Sequence, residues 1–424
     1  MTTKQSLLST NQKTWGKVDL QKANVWKKDG NDLFKRKTYN EAIGLYSKAL
    51  EASGETVRAI LSNWAFCALQ VRNFGDVLAA TVASLRIGYN DKAYFRFIQA
   101  LSFLGDYDLA QQAYHQLRLP QSIVKISTMK ELFTDLAHQI DKCVQLQQAM
   151  GENDNRIQVI SQFIVDTPTC IGNWIHGSLE TYRTRDKGRG IRAMQDIPEG
   201  SIVLIEWPLV SESYDLNTKK DLLISCSSNS TFNLYSSAEL RRMVVNRLKR
   251  EATLAKILSH MSDGDHTPSL VPISDLLINL EIFPVLLPTH HEYKTFDNCH
   301  DPKGHTKNGI NEITADRVHK ILNINCHGTH ETLENDKTQL YPTVSMMNHA
   351  SKPNCTLMET NLKILSVVRT CKHVKSGEEL TMKYNSDEVV EKNGASKQHK
   401  LVESKLFIQN GCLVAAIWFF CIGI

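Results

Sequence analysis

Three turn aromatics, Tyr39, Phe74 and Tyr107, stand 35 and 33 residues apart in the N-terminal part of the chain. A period in this range marks a helix-turn-helix unit repeated side by side. One such unit cannot bury its apolar face alone, and about three stacked units are the minimum for a stable core. The first unit is the fullest. In Trp26, Gly30, Phe34, Tyr39, Ala42, Tyr46 and Ala49, small residues let two helices cross closely and aromatics fill the space beside them. Ala65 and Phe74 repeat the pattern, and Tyr107 follows Leu104-Gly105-Asp106. Pro120 interrupts the array. Ile126, Met129, Leu132, Leu136, Ile140, Val144, Leu146 and Met150 then resume helical spacing, so closing helices are expected over 122–165. This reading gives a flexible polar N-terminus at 1–22, an all-α array at 23–165 and a linker at 166–178.

The first unit falls on the consensus positions of a tetratricopeptide repeat, which this array resembles. Ile98 stands where that repeat usually has a small residue, so the third unit is less regular. Lys27 and Asn31 lie one helical turn apart, Asn63 is in the next unit, and Lys92 and Arg96 are again one turn apart in the third. These five positions resemble the dicarboxylate clamp of chaperone-binding tetratricopeptide domains. Lys and Arg donate to the main-chain and side-chain carboxylates of an acidic peptide end. The resemblance implies the C-terminal tails of the cytosolic Hsp90 or Hsp70 chaperones as partners. The bland alternative is a solvated helix face, which carries Lys and Asn anyway.

Composition narrows the class. Apolar residues make up 42% and charged residues 22%, as in a globular domain protein, and a net charge of +4 gives no argument for nucleic acid. The ten cysteines are scattered, without a single C-x-x-C, and the polar start Met1-Thr2-Thr3-Lys4 leads into no apolar signal segment. A reduced intracellular protein, cytoplasmic or nuclear, is the expectation.

The second organising stretch is Val344 to Tyr384. Asn348-His349 with Pro353-Asn354, then Gly377-Glu378-Glu379-Leu380 with Tyr384, bracket Leu362 to Arg369, which has the aliphatic content of a buried strand. A buried Asn-His pair must have its polar atoms satisfied by protein or ligand. Far upstream, Leu179 to Thr184 alternates like a strand. Gly188-Arg189-Gly190 follows, then Asp196-Ile197-Pro198-Glu199-Gly200, then a strand pattern from Ile202 to Trp207. Gly-x-Gly between strands permits close approach of another group to the backbone. In this order the three pieces resemble a SET domain. The implied fold is α+β and multidomain: the array followed by a β-rich SET domain (a pseudoknot) in halves 179–207 and 316–390. A mostly helical insertion at 208–315 splits the halves, with helical segments at Ala238 to Leu258 and Ser274 to Glu281.

The resemblance also implies an activity, S-adenosylmethionine-dependent protein-lysine N-methyl transfer. Tyr384 carries over as the catalytic residue. Lys187, Arg189, Gly190, Asn348 and His349 carry over to the cofactor pocket. Asn325, in a segment similar to that of the tetratricopeptide-containing SET and MYND proteins, joins them, with Asn323 as runner-up. Two departures stand out. Between the SET halves only Cys226 and Cys299 occur, so a MYND two-zinc module cannot be built there. Cys299, His300 and His305 read as a loop rather than a metal site. Ser351 replaces the post-SET cysteine, and the atypical tail at 391–424 offers only Cys412 and Cys421. No bound metal is therefore expected. Cys412 to Ile424 is almost wholly apolar but short of the ~20 residues a membrane span needs. The stretch reads as an alternative C-terminus, or as a lid over the active site formed by Trp418, Phe419 and Phe420. A catalytically weak SET-fold adaptor that binds chaperone tails is the second reading.

Overall fold

The computed structural model describes residues 19–53, 57–88, 90–116, 127–152, 156–183, 188–214, 225–226, 232–233, 235–248, 252–265, 268–277, 313–330, 336–358, 360–362 and 364–383. Lys187, Tyr384, the 278–312 stretch and the tail from 384 onward lie outside them. The chain falls into two compact units, with the division between Ile140 and Asp141. Among the described residues, no helix is long and apolar enough to cross a membrane.

The first unit is the helical array. It pairs α1 (Leu20–Lys35) with α2 (Tyr39–Ser53), α3 (Val57–Gln70) with α4 (Phe74–Ile87), and α5 (Asp91–Phe103) with α6 (Tyr107–Gln116). Side chains set several of the starts. Asp19 accepts from the Lys22 backbone N–H, Asn73 from Asp76, and Asn90 from Lys92 and Ala93. Each cap satisfies N–H groups that the first helical turn leaves without partners. The turn aromatics Tyr39, Phe74 and Tyr107 are the first residues of α2, α4 and α6. Two positions before each, the backbone turns left-handed, at Lys37 (φ 62°), Arg72 (φ 57°) and Gly105 (φ 81°). Only the third of these is the residue type that takes this conformation without strain. The small-residue rule also holds in space, since a Cβ on Gly30 would lie 2.8 Å from the Tyr46 ring. Ile98 is fully buried despite its size. The array continues into α7 (Ser127–Glu152), where Phe133 meets Phe95 edge to face; the division between the units falls within α7, and α8 (Arg156–Asp166) belongs to the second unit.

The second unit is strand-rich. In chain order it holds β1 (Trp174–Ile175), β2 (Leu179–Arg183), β3 (Arg189–Ala193), β4 (Ile202–Glu206), β5 (Val210–Tyr214), β6 (Ser225–Cys226) and β7 (Phe232–Asn233). Next come α9 (Tyr235–Leu248), α10 (Ala252–Ser259) and α11 (Ala315–Asn325). Then follow β8 (Cys326–His330), β9 (Asp336–Leu340), β10 (Asn348–His349), β11 (Cys355–Met358), β12 (Ser366–Thr370) and β13 (Thr381–Met382). A four-stranded antiparallel sheet runs in the order β1-β4-β12-β11. β2 and β3 form a hairpin, β5-β9-β8 a three-stranded sheet, β6 and β7 a pair, and β10 and β13 a parallel pair. Two apolar cores are formed among the described residues of this unit. Ile191, Val203, Leu204, Val344, Met347, Val368 and Leu380 belong to one. In the other, Val244 of α9, Ile257 of α10 and Ile321 of α11 pack with Val210 and Leu340 of the three-stranded sheet. The α+β architecture is the one expected from the sequence.

Local readings shift where the chain turns. The expected strand Leu362 to Arg369 begins only at Ser366, because Leu365 N–H closes a turn on the Leu362 carbonyl. Ala238 to Leu258 is two helices, α9 and α10, rather than one. Ser274 to Glu281 contributes a short 3-10 turn, Ile273–Leu276, among the described residues.

Candidate functional site

In the strand-rich unit, three distant segments meet at Asn348. Register puts Asn348 opposite Thr381 and His349 opposite Met382 in the parallel β10–β13 pair. The Gly377-Glu378-Glu379-Leu380 segment lies along the free edge of β3: Ala193 N–H donates to the Glu378 carbonyl at 3.0 Å, and Leu380 N–H to the Ile191 carbonyl at 2.8 Å. Asn348 Nδ2 ties the two sides together, donating to the Arg189 carbonyl at 3.0 Å and to Glu379 Oε1 at 2.7 Å. The Gly-x-Gly backbone makes this possible. A Cβ on Gly190 would lie 2.8 Å from Glu379 Oε1, 3.0 Å from Asn348 Nδ2 and 3.0 Å from the Tyr182 ring. The close approach at Gly190 is thus made by the site's own side chains.

A second asparagine locks the same junction. Asn354 Nδ2 donates to Glu378 Oε1 and to the Glu379 carbonyl, at 3.0 and 2.8 Å, while its Oδ1 accepts the Thr381 N–H at 2.9 Å. Behind them stands Glu206, 1% exposed, whose two carboxylate oxygens accept the backbone N–H groups of Thr343 and Val344 at 2.9 Å each. Val344 opens the 3-10 turn that leads into Asn348. Burial pushes the Glu206 carboxyl up to about 7, against the pull of those two N–H donors.

Arg189 is 8% exposed, and its Nη1 is buried without a hydrogen-bond partner among the described residues. Burial, and then Arg183, lower its pKa. A buried guanidinium with an unmet donor suits an anionic group such as a ligand carboxylate. His349 is half-buried on β10, next to Asn348 in the chain. Asn325 is differently occupied. Both its amide protons are engaged, with the Ser262 and Ile321 carbonyls at 2.8 and 2.7 Å, so it fastens the end of α11 to the turn after α10 and keeps only Oδ1 for other partners. Asn323 Nδ2 lies 3.1 Å from His319 Nε2. Lys187 and Tyr384 lie outside the described residues.

In the array, Asn31, Asn63 and Arg96 come together through the odd-numbered helices. Asn31 Oδ1 accepts from Asn63 Nδ2 at 3.0 Å and from the Tyr46 hydroxyl at 2.9 Å. Arg96 Nη1 donates to the Ser62 carbonyl at 2.6 Å and to Ser62 Oγ at 2.8 Å, with its guanidinium carbon 5.1 Å from the centre of the Phe66 ring. Burial lowers the Arg96 pKa to about 10, which still leaves it charged. Lys27 is half-buried on α1 and Lys92 exposed on α5.

Sequence reasoning quoted Glu379, Asn354 and Tyr46 without giving them site roles, and it missed Glu206. Glu206 had a signal: a lone carboxylate closing the otherwise apolar run Ile202-Val203-Leu204-Ile205.

Comparison with known proteins adds three findings. Residues 188–385 match the family model of the SET domain. The chain is 28% identical over 144 residues, 33% of its length, to Protein unc-45 homolog B of Xenopus laevis. It is 33% identical over 93 residues, 22% of its length, to Heat shock protein STI1 of Saccharomyces cerevisiae. The matches span 15% and 16% of those two relatives.

Proposed function

We propose that this chain is a S-adenosylmethionine-dependent protein-lysine N-methyltransferase of the SET type that docks acidic C-terminal peptides on its repeat array. The observation that carries the reading is Asn348, bonded at once to the Gly-x-Gly strand and to Glu379, within the residues that match the SET domain. When bound, S-adenosylmethionine supplies a methyl group already activated on a sulfonium, so the protein's task is orientation and exclusion of water. The residues present fit such a group. Arg189 offers an unmet buried donor for its carboxylate, and Asn348 is bonded to the same strand at the Arg189 carbonyl, with His349 next to it on β10. Tyr384, by resemblance, lines the path of the substrate amine. That amine must be neutral, against a free lysine pKa of about 10.4, and an apolar channel ending in a hydroxyl favours the neutral form and aims its lone pair. For the array, the partly matching yeast relative is by name a heat shock protein, which supports the tails of the cytosolic Hsp90 or Hsp70 chaperones as ligands.

The domain limits proposed are 1–22, 23–165, 166–178, 179–207, 208–315, 316–390 and 391–424, as read from the sequence. A second reading, a SET-fold adaptor with little activity, is favoured by Ala350 and Ser351, which replace the Ser-Cys of the family's Asn-His-Ser-Cys motif. Calorimetric titration with S-adenosylmethionine separates the two. Saturable binding by the wild type, retained in Tyr384→Phe and reduced about tenfold or more in Asn348→Ala, is expected of the enzyme. No binding by the wild type sinks the enzyme and leaves the adaptor. Transfer of labelled methyl groups to a protein mixture, lost in Tyr384→Phe, completes the test.

A further inference from the structure

Cys143 and Cys170 stand 27 residues apart in the chain and meet within the strand-rich unit, Sγ to Sγ at 3.7 Å. That is contact between two thiols, against about 2.05 Å in a disulfide. A cysteine buried alone is a small apolar residue. Two buried in sulfur contact are also the two halves of a cystine. Their surroundings hold them together. Cys143 is fully buried on α7, and Cys170, 3% exposed, lies in the turn between α8 and β1, beside exposed Thr169. One residue before Cys143, Lys142 is ion-paired with Asp166 at the end of α8. One residue after Cys170, the Ile171 carbonyl accepts Trp207 Nε1 at 2.6 Å, and the Trp207 backbone N–H donates to Asn173 Oδ1 at 2.8 Å. Folding has already closed the loop between the two sulfurs, so bonding them costs little further chain entropy.

We propose that Cys143 and Cys170 form an oxidation site: a small hydroperoxide closes them to an intrachain disulfide that staples α7 to the segment entering β1. Cys170 lies in a turn next to an exposed residue, so the oxidant meets it first. Its sulfur, as thiolate, attacks one peroxide oxygen; the S–O bond forms, the O–O bond breaks, and the other oxygen leaves as hydroxide and takes up a proton to become water. The Cys143 sulfur then attacks the sulfenic sulfur; the S–S bond forms, the S–O bond breaks, and the second oxygen leaves as water. Two thiols give up two protons and two electrons, and one hydrogen peroxide becomes two waters. The closed loop contains α8, and a dithiol opens it again by exchange. Nothing in this chemistry depends on methyl transfer.

The test takes the full chain, reduced and then freed of reductant, and exposes it to hydrogen peroxide before denaturation, alkylation and peptide mapping by mass spectrometry. A linked peptide pair joining Cys143 to Cys170 should appear, lighter than the two separate peptides by two hydrogens, and should vanish with dithiothreitol. In Cys143→Ser the link is impossible, so peroxide should leave Cys170 as a sulfenic acid that dimedone captures, well above the level in the wild type. Oxidised wild type should melt about 5 °C or more above the reduced protein, the usual worth of cross-linking a loop of this size, and Cys170→Ser should show no such rise. Recovery of both wild-type cysteines as alkylated thiols, or a link from either to a different cysteine, overturns the proposal whether or not the serine variants fold. A Cys143–Cys170 link that leaves the melting temperature unchanged overturns the staple.

Discussion

The two candidate sites are built on opposite plans. In the array, Asn31, Tyr46 and Asn63 are each delivered by their own helix of a regular stack, and the hydrogen bonds between them span 15 and 32 residues of sequence. In the strand-rich unit, Asn348 reaches back 159 residues to Arg189, and Glu206 reaches forward 137 and 138 to Thr343 and Val344. A repeat places its functional residues by period, so a change there is absorbed locally. A site assembled from remote segments depends on a few buried polar junctions, and loss of one is felt across the unit.

Glu206 should show the largest effect. Its folded pKa, about 7, lies above the ordinary value of 4.5, so its contribution to stability is fully present below pH 4.5 and is lost as pH rises through 7. Each pKa unit is worth about 1.4 kcal/mol, so the wild type should lose on the order of 3 kcal/mol across that window relative to Glu206→Gln, which does not titrate. Denaturant melts of both proteins at pH 4.5, 6 and 7.5 read the difference directly. Parallel pH profiles would remove Glu206 as a titrating junction.

Gly190→Ala and Gly30→Ala set the two plans side by side. In each, the added Cβ would lie 2.8 Å from a neighbouring side-chain atom. At Gly190 the displaced atoms belong to Glu379 and Asn348, so about 2 kcal/mol of stability should go together with cofactor binding. At Gly30 the displaced group is the Tyr46 ring. A cost of about 1–2 kcal/mol should appear in the array's melting, with cofactor affinity unchanged. Calorimetry with S-adenosylmethionine on both variants makes the comparison, and equal loss of cofactor affinity would break it.

Legibility in the sequence follows the same divide. Tyr39, Phe74 and Tyr107 open their helices as the period requires, since repetition writes tertiary contact into local spacing. The strand-rich unit was legible through motif order, because Asn348, Glu379 and Gly190 have no periodic relation to one another. Turn chemistry was less visible. Leu362 to Leu365 read as strand because its side chains are aliphatic, yet its backbone turns. The junction at Glu206 was hidden because a carboxylate at the end of an apolar strand does not name the N–H groups it will meet. Asn325 was read from a resembling segment as a cofactor contact, yet it ends α11 and both its amide protons go to backbone carbonyls.

The smallest effect should come from the left-handed turns of the array, where repetition has left a local flaw. Lys37 and Arg72 hold the conformation that Gly105 holds without strain in the third unit. Lys37 is exposed, so Lys37→Gly relieves the backbone and removes little else; a gain of up to about 1 kcal/mol is expected, reduced by the greater entropy of glycine in the unfolded chain. Arg72 differs. Its guanidinium carbon lies 5.0 Å from the Phe74 ring centre and 4.8 Å from that of Phe103, and the two rings are stacked. Cation–π contact at two partly buried faces is worth about 1 kcal/mol or more, so Arg72→Gly should lose at least what the backbone gains. Thermal melts of the two variants should therefore move in opposite directions. If both rise together, the turns are set by backbone strain alone, and the units of the array are more alike than their side chains imply.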